Sequence, residues 1–261
     1  MATNIKYKPL TSLDMQKVVK LHRIVIPLEQ LRRTIFYSPK VVNYLKSLVF
    51  YPDFQQDNYF LGAWHDDRLV GYAHYRVLGD TLHLNQIAVH PKYQGRGIGH
   101  QLAEQWKYKA CELNMVRVSL DVDANNLRAY NWYQKMGLRF ISKNYIYERE
   151  MPPQSLKVIP TKFHFLEWEN TAAWQKAYGF SKISVLYENK VWKIGWTHDA
   201  LHIGEHLPEV LILDLIRLLR NIRWLFLRSA DHELLEMPIS QDDWKLSSVI
   251  IRMGALLAEV R

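Results

Sequence analysis

Residues 90–106 read HPKYQGRGIGHQLAEQW. Gly95, Gly97 and Gly99 alternate at the head of what then runs on as an amphipathic helix. Glycine weakens a helix more than almost any other residue, so three of them in a first turn serve something other than helix formation. A helix N-terminus carries unpaired N–H groups and a partial positive charge. Removing Cβ atoms lets an anion reach that backbone directly. The stretch therefore reads as a phosphate cradle. It is not the dinucleotide pattern G-x-G-x-x-G, because the third glycine comes one residue early. Nor is it a P-loop, because His100-Gln101 follows where Lys-Ser/Thr would stand.

Outward from the loop, the preceding segment Thr81–Val89 alternates as a strand. Before it, Asn58–His65 and Leu69–Leu78 form a hairpin about the turn HDDR at 65–68. Ile5–Leu10 is a short strand, and Leu13, Val18, Leu21 and Val25 recur at helical spacing as far as Pro27. A further helix fits Pro39–Phe50. After the loop come a helix to about Leu113, a strand Val116–Val122, a helix Asn126–Met136 closed by Gly137 as a left-handed cap, and a strand Leu138–Tyr147. Hairpins followed by one strand–helix–strand crossover predict an α+β fold: a mixed, mostly antiparallel sheet flanked by helices.

The 261 residues carry 34 Lys+Arg and 26 Asp+Glu, a net charge of +8. Residues 1–150 hold 21 of the cations and 13 of the acids, leaving 13 of each for 151–261, so the excess lies in the first part. An anionic ligand there fits this charge. The break EMPPQS at 150–155 divides a domain 1–150 from a C-terminal α+β domain 151–261. No apolar run reaches the ~20 residues of a membrane helix. MATNIKYKPL holds no apolar signal core, and the single Cys111 sits in a helical pattern as a packed thiol. The expectation is a soluble, cytoplasmic protein.

The second domain is read as strands at Lys157–Trp168, Lys182–Leu186, Val191–Thr197, Ile222–Leu227 and Ser247–Ala255, with an apolar helix Pro208–Arg220. It has no glycine loop. His198, His202 and His206 recur every four residues, but Gly204 and Pro208 break the helix that would gather them, so no metal site is expected.

Gln94-x-x-Gly97-x-Gly99 after the strand LHLNQIAVHP, together with Asn126-x-x-Ala129-x-x-x-Tyr133-x-x-x-Gly137-Leu138, resembles the GCN5-related N-acetyltransferase (GNAT) family over about residues 3–149. That resemblance implies acetyl-coenzyme A as acyl donor. Gln94, Gly95, Arg96, Gly97, Ile98, Gly99 and His100 would hold its pyrophosphate. Ile87, Ala88 and Val89, on a bulged strand, would meet the pantetheine arm and polarise the thioester carbonyl. Asn126 would contact the cofactor arm, and Tyr133 would protonate the departing thiolate. The family often carries a Glu base on one of two strands; His83 and Asp121 stand at those places here, and either is the expected base. The resemblance also suggests that 151–261 is a degenerate GNAT-like half.

The chemistry of these residue types agrees. Fixed N–H donors stabilise the charge that develops on a thioester oxygen, a bulge supplies donors that a regular strand would spend on its neighbour, and a phenol can protonate sulfur. Phe36, Tyr37, Tyr59 and Tyr75 fall near the acceptor side in this topology, where such aromatics either line an amine pocket or, as more often, pack in the core. The acceptor is a small-molecule amine or a peptide N-terminus, with no nucleic acid and no membrane as partner; a homodimer is open. The alternative is an acyl-coenzyme A-binding regulatory module without transfer.

Overall fold

The computed structural model describes residues 4–151, 163–230 and 243–260. The chain divides into two compact units. The first is built from the described residues of 1–31, 42–142 and 251–261, and the second from those of 32–41 and 143–250. The boundary at 150 is thus shifted to 142, and each unit takes a segment from outside its main stretch. Most of the break at 150–155 and the first half of the Lys157–Trp168 run lie outside the described residues.

The first unit begins with β1 (Ile5–Pro9), α1 (Met15–Val25), the single turn α2 (Leu28–Leu31), α3 (Val41–Phe50) and the short α4 (Pro52–Gln55). It continues through β2 (Asn58–His65), β3 (Arg68–Leu78), β4 (Thr81–Val89), α5 (Ile98–Glu112), β5 (Arg117–Asp123) and α6 (Leu127–Lys135). β1 to β4 pair antiparallel in sequence order, and β4 pairs parallel with β5. The turns carry the residues that such backbones need: Asp66 and Gly79 both have positive φ. Helix α1 buries Met15, Val18, Val19, Leu21 and His22, and α5 buries Ile98, Leu102, Ala103, Trp106 and Ala110. Both sets follow helical spacing. Trp106 adds a hydrogen bond from Nε1 to the Leu82 carbonyl at 3.2 Å, which sets α5 against β4. Cys111 lies one step beyond the buried stripe of α5 and is exposed, contrary to the packed thiol expected.

Gly137 has φ 99°, and Leu138 N–H reaches back to the Tyr133 carbonyl at 3.1 Å, which closes α6 in the left-handed manner expected. A Cβ at Gly137 would lie 2.6 Å from the Glu259 carbonyl oxygen, so the end of the chain packs here too. Leu257 N–H donates to the Val116 carbonyl at 2.9 Å, which accounts for residues 251–261 belonging to this unit.

The second unit contains β6 (Arg139–Glu150) from Lys143 onward, β7 (His164–Leu166), α7 (Trp168–Tyr178), β8 (Phe180–Tyr187), β9 (Lys190–Thr197), β10 (Ala200–Gly204), α8 (Glu209–Leu219) and β11 (Trp224–Ser229). The last strand, β12 (Lys245–Leu256), supplies residues to both units. In this unit the strands lie in the order β6-β11-β10-β9-β8-β7. Only β10–β11 is parallel, with α8 as its crossover. Segment 32–41 belongs here because Ser38 Oγ donates to the Tyr178 carbonyl at 2.8 Å and Arg32 lies over the Trp224 ring. Phe36 and Tyr37, expected near the acceptor side, are therefore part of this unit; Tyr37 packs edge-on to His198. His202 is a strand residue, buried and stacked with Phe226, and no metal-binding group occurs among the described residues.

Candidate active site

The site is a cleft of about 1190 Å³ inside the first unit. It opens where two neighbouring strands part. β4 and β5 pair from Thr81↔Arg117 to Leu84↔Leu120 and no further. Beyond that point Asn85–Val89 form one wall and Asp121–Asp123 the other, with the glycine loop at the rim and α6 alongside.

The backbone of β4 explains what the split exposes. His90 N–H donates to the Val70 carbonyl on β3 at 2.8 Å. Alternation along a strand then turns the peptide groups of Ile87 and Val89 away from β3, toward the side that β5 has left. The Val89 carbonyl is met there by the Gln94 side chain, whose Nε2 donates at 3.0 Å. Gln94 thus ties the glycine loop to the end of β4.

Gly95 and Gly97 have φ of 75° and 78°, the left-handed region, and nothing lies within 4 Å of where a Cβ would stand at either. Gly97 is the N-cap of α5. The backbone N–H groups of Gly95 to His100 have no partner among the described residues, and the first helical bond is Gln101 N–H to the Gly97 carbonyl. This is a concave run of bare donors at a helix N-terminus, suited to a phosphate group. Arg96 stacks over the Tyr93 ring at 5.1 Å.

On the far wall Asn126 caps α6: its Oδ1 accepts from Ala129 N–H at 3.2 Å, which leaves its amide nitrogen as the donor for the cleft. Tyr133, 5% exposed, lines the cleft, and burial raises its phenol pKa, so it stays protonated at neutral pH.

The base positions look different from the expectation. His83 is 5% exposed and outside the cleft, with Nδ1 2.9 Å from Ser119 Oγ on β5; burial lowers its pKa. Asp121 borders the cleft, but both its oxygens accept from Arg252, at 2.8 Å each. A carboxylate held this way is a poor proton acceptor. Tyr59 and Tyr75 do not reach the cleft either: Tyr75 donates to the Leu102 carbonyl in the core and Tyr59 to the Gln56 carbonyl.

What lines the cleft on the α1 side is a set of neutral polar groups: His22, Gln30, Asn85 and Gln86. His22 Nδ1 lies 2.6 Å from the Tyr72 hydroxyl, which reaches Gln86 Oε1 at 3.3 Å. Burial first, then the Arg23 charge, lowers the His22 pKa to about 4. Sequence reading passed over Asn85 and Gln86. Their signal was the phase slip in TLHLNQIAV, where Leu82 and Leu84 give way to Ile87 and Val89.

The split strands, the glycine loop and the buried phenol of Tyr133 thus lie around one cleft, the arrangement that the resemblance to the N-acetyltransferases implies. The model of the acetyltransferase (GNAT) family matches residues 27–138, and this domain of the chain belongs to that family. The chain is 34% identical over 82 residues to the [ribosomal protein bS18]-alanine N-acetyltransferase of Salmonella typhimurium, a match over 31% of this chain and 55% of that protein. It is 30% identical over 95 residues to the streptothricin acetyltransferase of Escherichia coli, covering 36% and 55%. It thus spans just over half the length of each of these curated relatives. Among solved structures, a tandem GNAT protein from the clavulanic acid biosynthesis pathway aligns over 97% of this chain and 99% of its own, with a TM-score of 0.66 and 12% identity; this likeness is one of fold.

Proposed function

We propose that the first unit transfers the acetyl group of acetyl-coenzyme A to a primary amine by direct attack. The observation that carries this reading is the run of unpartnered N–H groups from Gly95 to His100, set at the mouth of a cleft whose wall is the unpaired edge of β4. A diphosphate fits the run, and a Cβ at Gly97 would stand in the space it needs. The pantetheine arm would then follow the edge of β4 between Ile87 and Asn126.

In this mechanism the main-chain donors of Ile87 and Val89 face the thioester oxygen as charge builds on it. The amine nitrogen forms a bond to the carbonyl carbon, and the carbon–sulfur bond breaks. Tyr133 gives its proton to the leaving thiolate. An amine of ordinary pKa ~10.4 must first lose a proton to solvent, at roughly 4–5 kcal/mol at pH 7, and the second proton, shed by the nitrogen as the amide forms, replaces the one that Tyr133 has given up. The α1 side of the cleft offers neutral imidazole and carboxamide groups for that nitrogen, and no carboxylate. The acceptor is a small-molecule amine or a peptide N-terminus, in keeping with the streptothricin and ribosomal-protein alanine acetyltransferases that the domain resembles.

The second unit, in this reading, is a GNAT-like half that holds no coenzyme A. From β7 to β11 its order of strands and helices matches that of the first from β1 to β5, but β10 and β11 stay paired through Gly204↔Arg228, and Ala230 N–H donates to the Glu205 side chain at 3.0 Å. Among the described residues no slot opens between these strands, and α8 begins with Pro208 and Glu209 in place of glycines. Coenzyme A titrated calorimetrically should bind at one site per chain, and acetyl-coenzyme A should release free thiol only when an amine is supplied. Binding without amine-dependent release would favour a regulatory module.

A further inference from the structure

The residue at which β4 leaves β5 is an extra one. Across the β3–β4 ladder Tyr75 opposes Leu84 and His74 opposes Gln86, which leaves Asn85 without an opposite number. This is a β-bulge. It resets the alternation of the strand: Leu82 and Leu84 belong to the core beneath α5, and Ile87 and Val89 pack against that same core. The last β4–β5 pair is Leu84↔Leu120, so the bulge falls at the apex of the split, and Asn85 lines the cleft.

The direction of the Asn85 carboxamide is dictated by side chains on the two neighbouring strands, β3 and β2. Asn58 Nδ2 donates to the Phe54 carbonyl at 2.9 Å, which fixes which end of that amide is nitrogen. Its Oδ1 lies 3.0 Å from His74 Nε2. An amide oxygen only accepts, so Nε2 carries the hydrogen. His74 is 3% exposed and stacked on Phe60 with centroids 3.9 Å apart. Burial, with Arg76 and His83 nearby, lowers its pKa to about 3, so the ring is neutral. A neutral imidazole with hydrogen on Nε2 has a bare Nδ1, which must meet a donor. That donor is Asn85 Nδ2, at 3.0 Å. The nitrogen of Asn85 is thereby committed to His74, and Oδ1 has no partner among the described residues.

We propose that Asn85 Oδ1 accepts an N–H of the acceptor amine and so aims its nitrogen at the thioester; Asn85 is a specificity-determining residue for N–H donors, held in register by Asn58 and His74. This rests on the transferase reading above. A single well-directed hydrogen bond at the apex of the split would fix the approach of the nucleophile, where orientation weighs most on rate. It would also favour a nitrogen that offers several N–H groups over one already fully substituted.

The test uses the full chain with acetyl-coenzyme A and three probe amines: methylamine, glycinamide and an alanyl dipeptide. Asn85→Leu should raise KM for the best of the three about tenfold and lower kcat, while the Kd for coenzyme A changes less than twofold. Asn58→Leu, at a residue outside the cleft, should move the amine KM in the same direction by releasing the tether. The ¹⁵N resonances of His74 should report a neutral ring with hydrogen on Nε2. If the wild type transfers to none of the amines, the transferase reading falls and this role with it. If the wild type is active but Asn85→Leu keeps its amine KM, or His74 carries its hydrogen on Nδ1, this inference alone is overturned.

Discussion

Gln94 and Val89 are joined by a side-chain-to-backbone hydrogen bond of 3.0 Å that fastens the glycine loop to the last residue of β4. The phosphate cradle and the strand edge that faces the thioester are thus held as one piece. Gln94→Ala cuts that tie without touching the amides themselves. Coenzyme A affinity should fall by about tenfold, the effect of one hydrogen bond and the loop order it maintains. Calorimetry measures it directly, and an unchanged Kd would mean that the loop is held by other contacts.

Tyr133 should act through its proton alone. Tyr133→Phe keeps the ring in its buried seat and removes the hydroxyl. Turnover should drop by about a hundredfold, the scale of a lost general acid, while coenzyme A affinity stays within twofold. Loss of affinity and turnover together would make the residue a packing element.

Asp121 and Arg252 form a two-point ion pair at about one-third exposure. Asp121→Asn is expected to leave kcat within about threefold and to change stability by no more than about 1 kcal/mol, because a pair exposed to this degree is well screened. Loss of activity by two orders of magnitude would restore Asp121 as the base.

Histidines kept neutral by burial set the acid limit of the fold, with His83 shifted in the same direction as the rest. His22 and His202 titrate near pH 4 in the folded chain and His74 near pH 3, in each case chiefly through burial, whereas unfolded histidine titrates near 6.5. Between those values the unfolded state takes up protons that the folded state refuses. Stability therefore declines as pH falls from about 6.5 toward 4, by an amount of the order of a few kcal/mol, and is insensitive to these groups above about pH 7. Urea unfolding at pH 7.5, 6.0 and 4.5 follows this; equal midpoints at all three would show the rings to be already charged or exposed.

The element order of the first unit was legible because its signals are local. Glycines at 95, 97 and 99, the HDDR turn and the cap at Gly137 each demand a particular backbone. The units' exchange of segments was not legible, because Ser38 to Tyr178 and Leu257 to Val116 are contacts between residues far apart in sequence. Helix α7 was missed: the reading ran a strand up to Trp168, where the helix begins, and its Trp168, Ala172 and Ala173 do not make a clear apolar stripe. For the site, the glycine loop, Asn126 and Tyr133 were picked out by the motif spacing and the family resemblance, and the structure brings them to one cleft. Spacing and resemblance were not enough to see that Arg252, 131 positions away, occupies Asp121, or that Ser119 meets His83. The bulge at Asn85 did leave a mark, two adjacent polar residues across a change of apolar phase, which the reading of a plain alternating strand absorbed.

In the proposed complex, free peptide amides from Gly95 to His100 hold the diphosphate of coenzyme A. A crystal structure of the chain with coenzyme A tests it most directly. Phosphate oxygens should lie within about 2.7–3.2 Å of several of those nitrogens, with the pantetheine arm along Ile87–Val89 in the split between β4 and β5. Coenzyme A seated elsewhere, or those amides turned to protein acceptors in the complex, would contradict it.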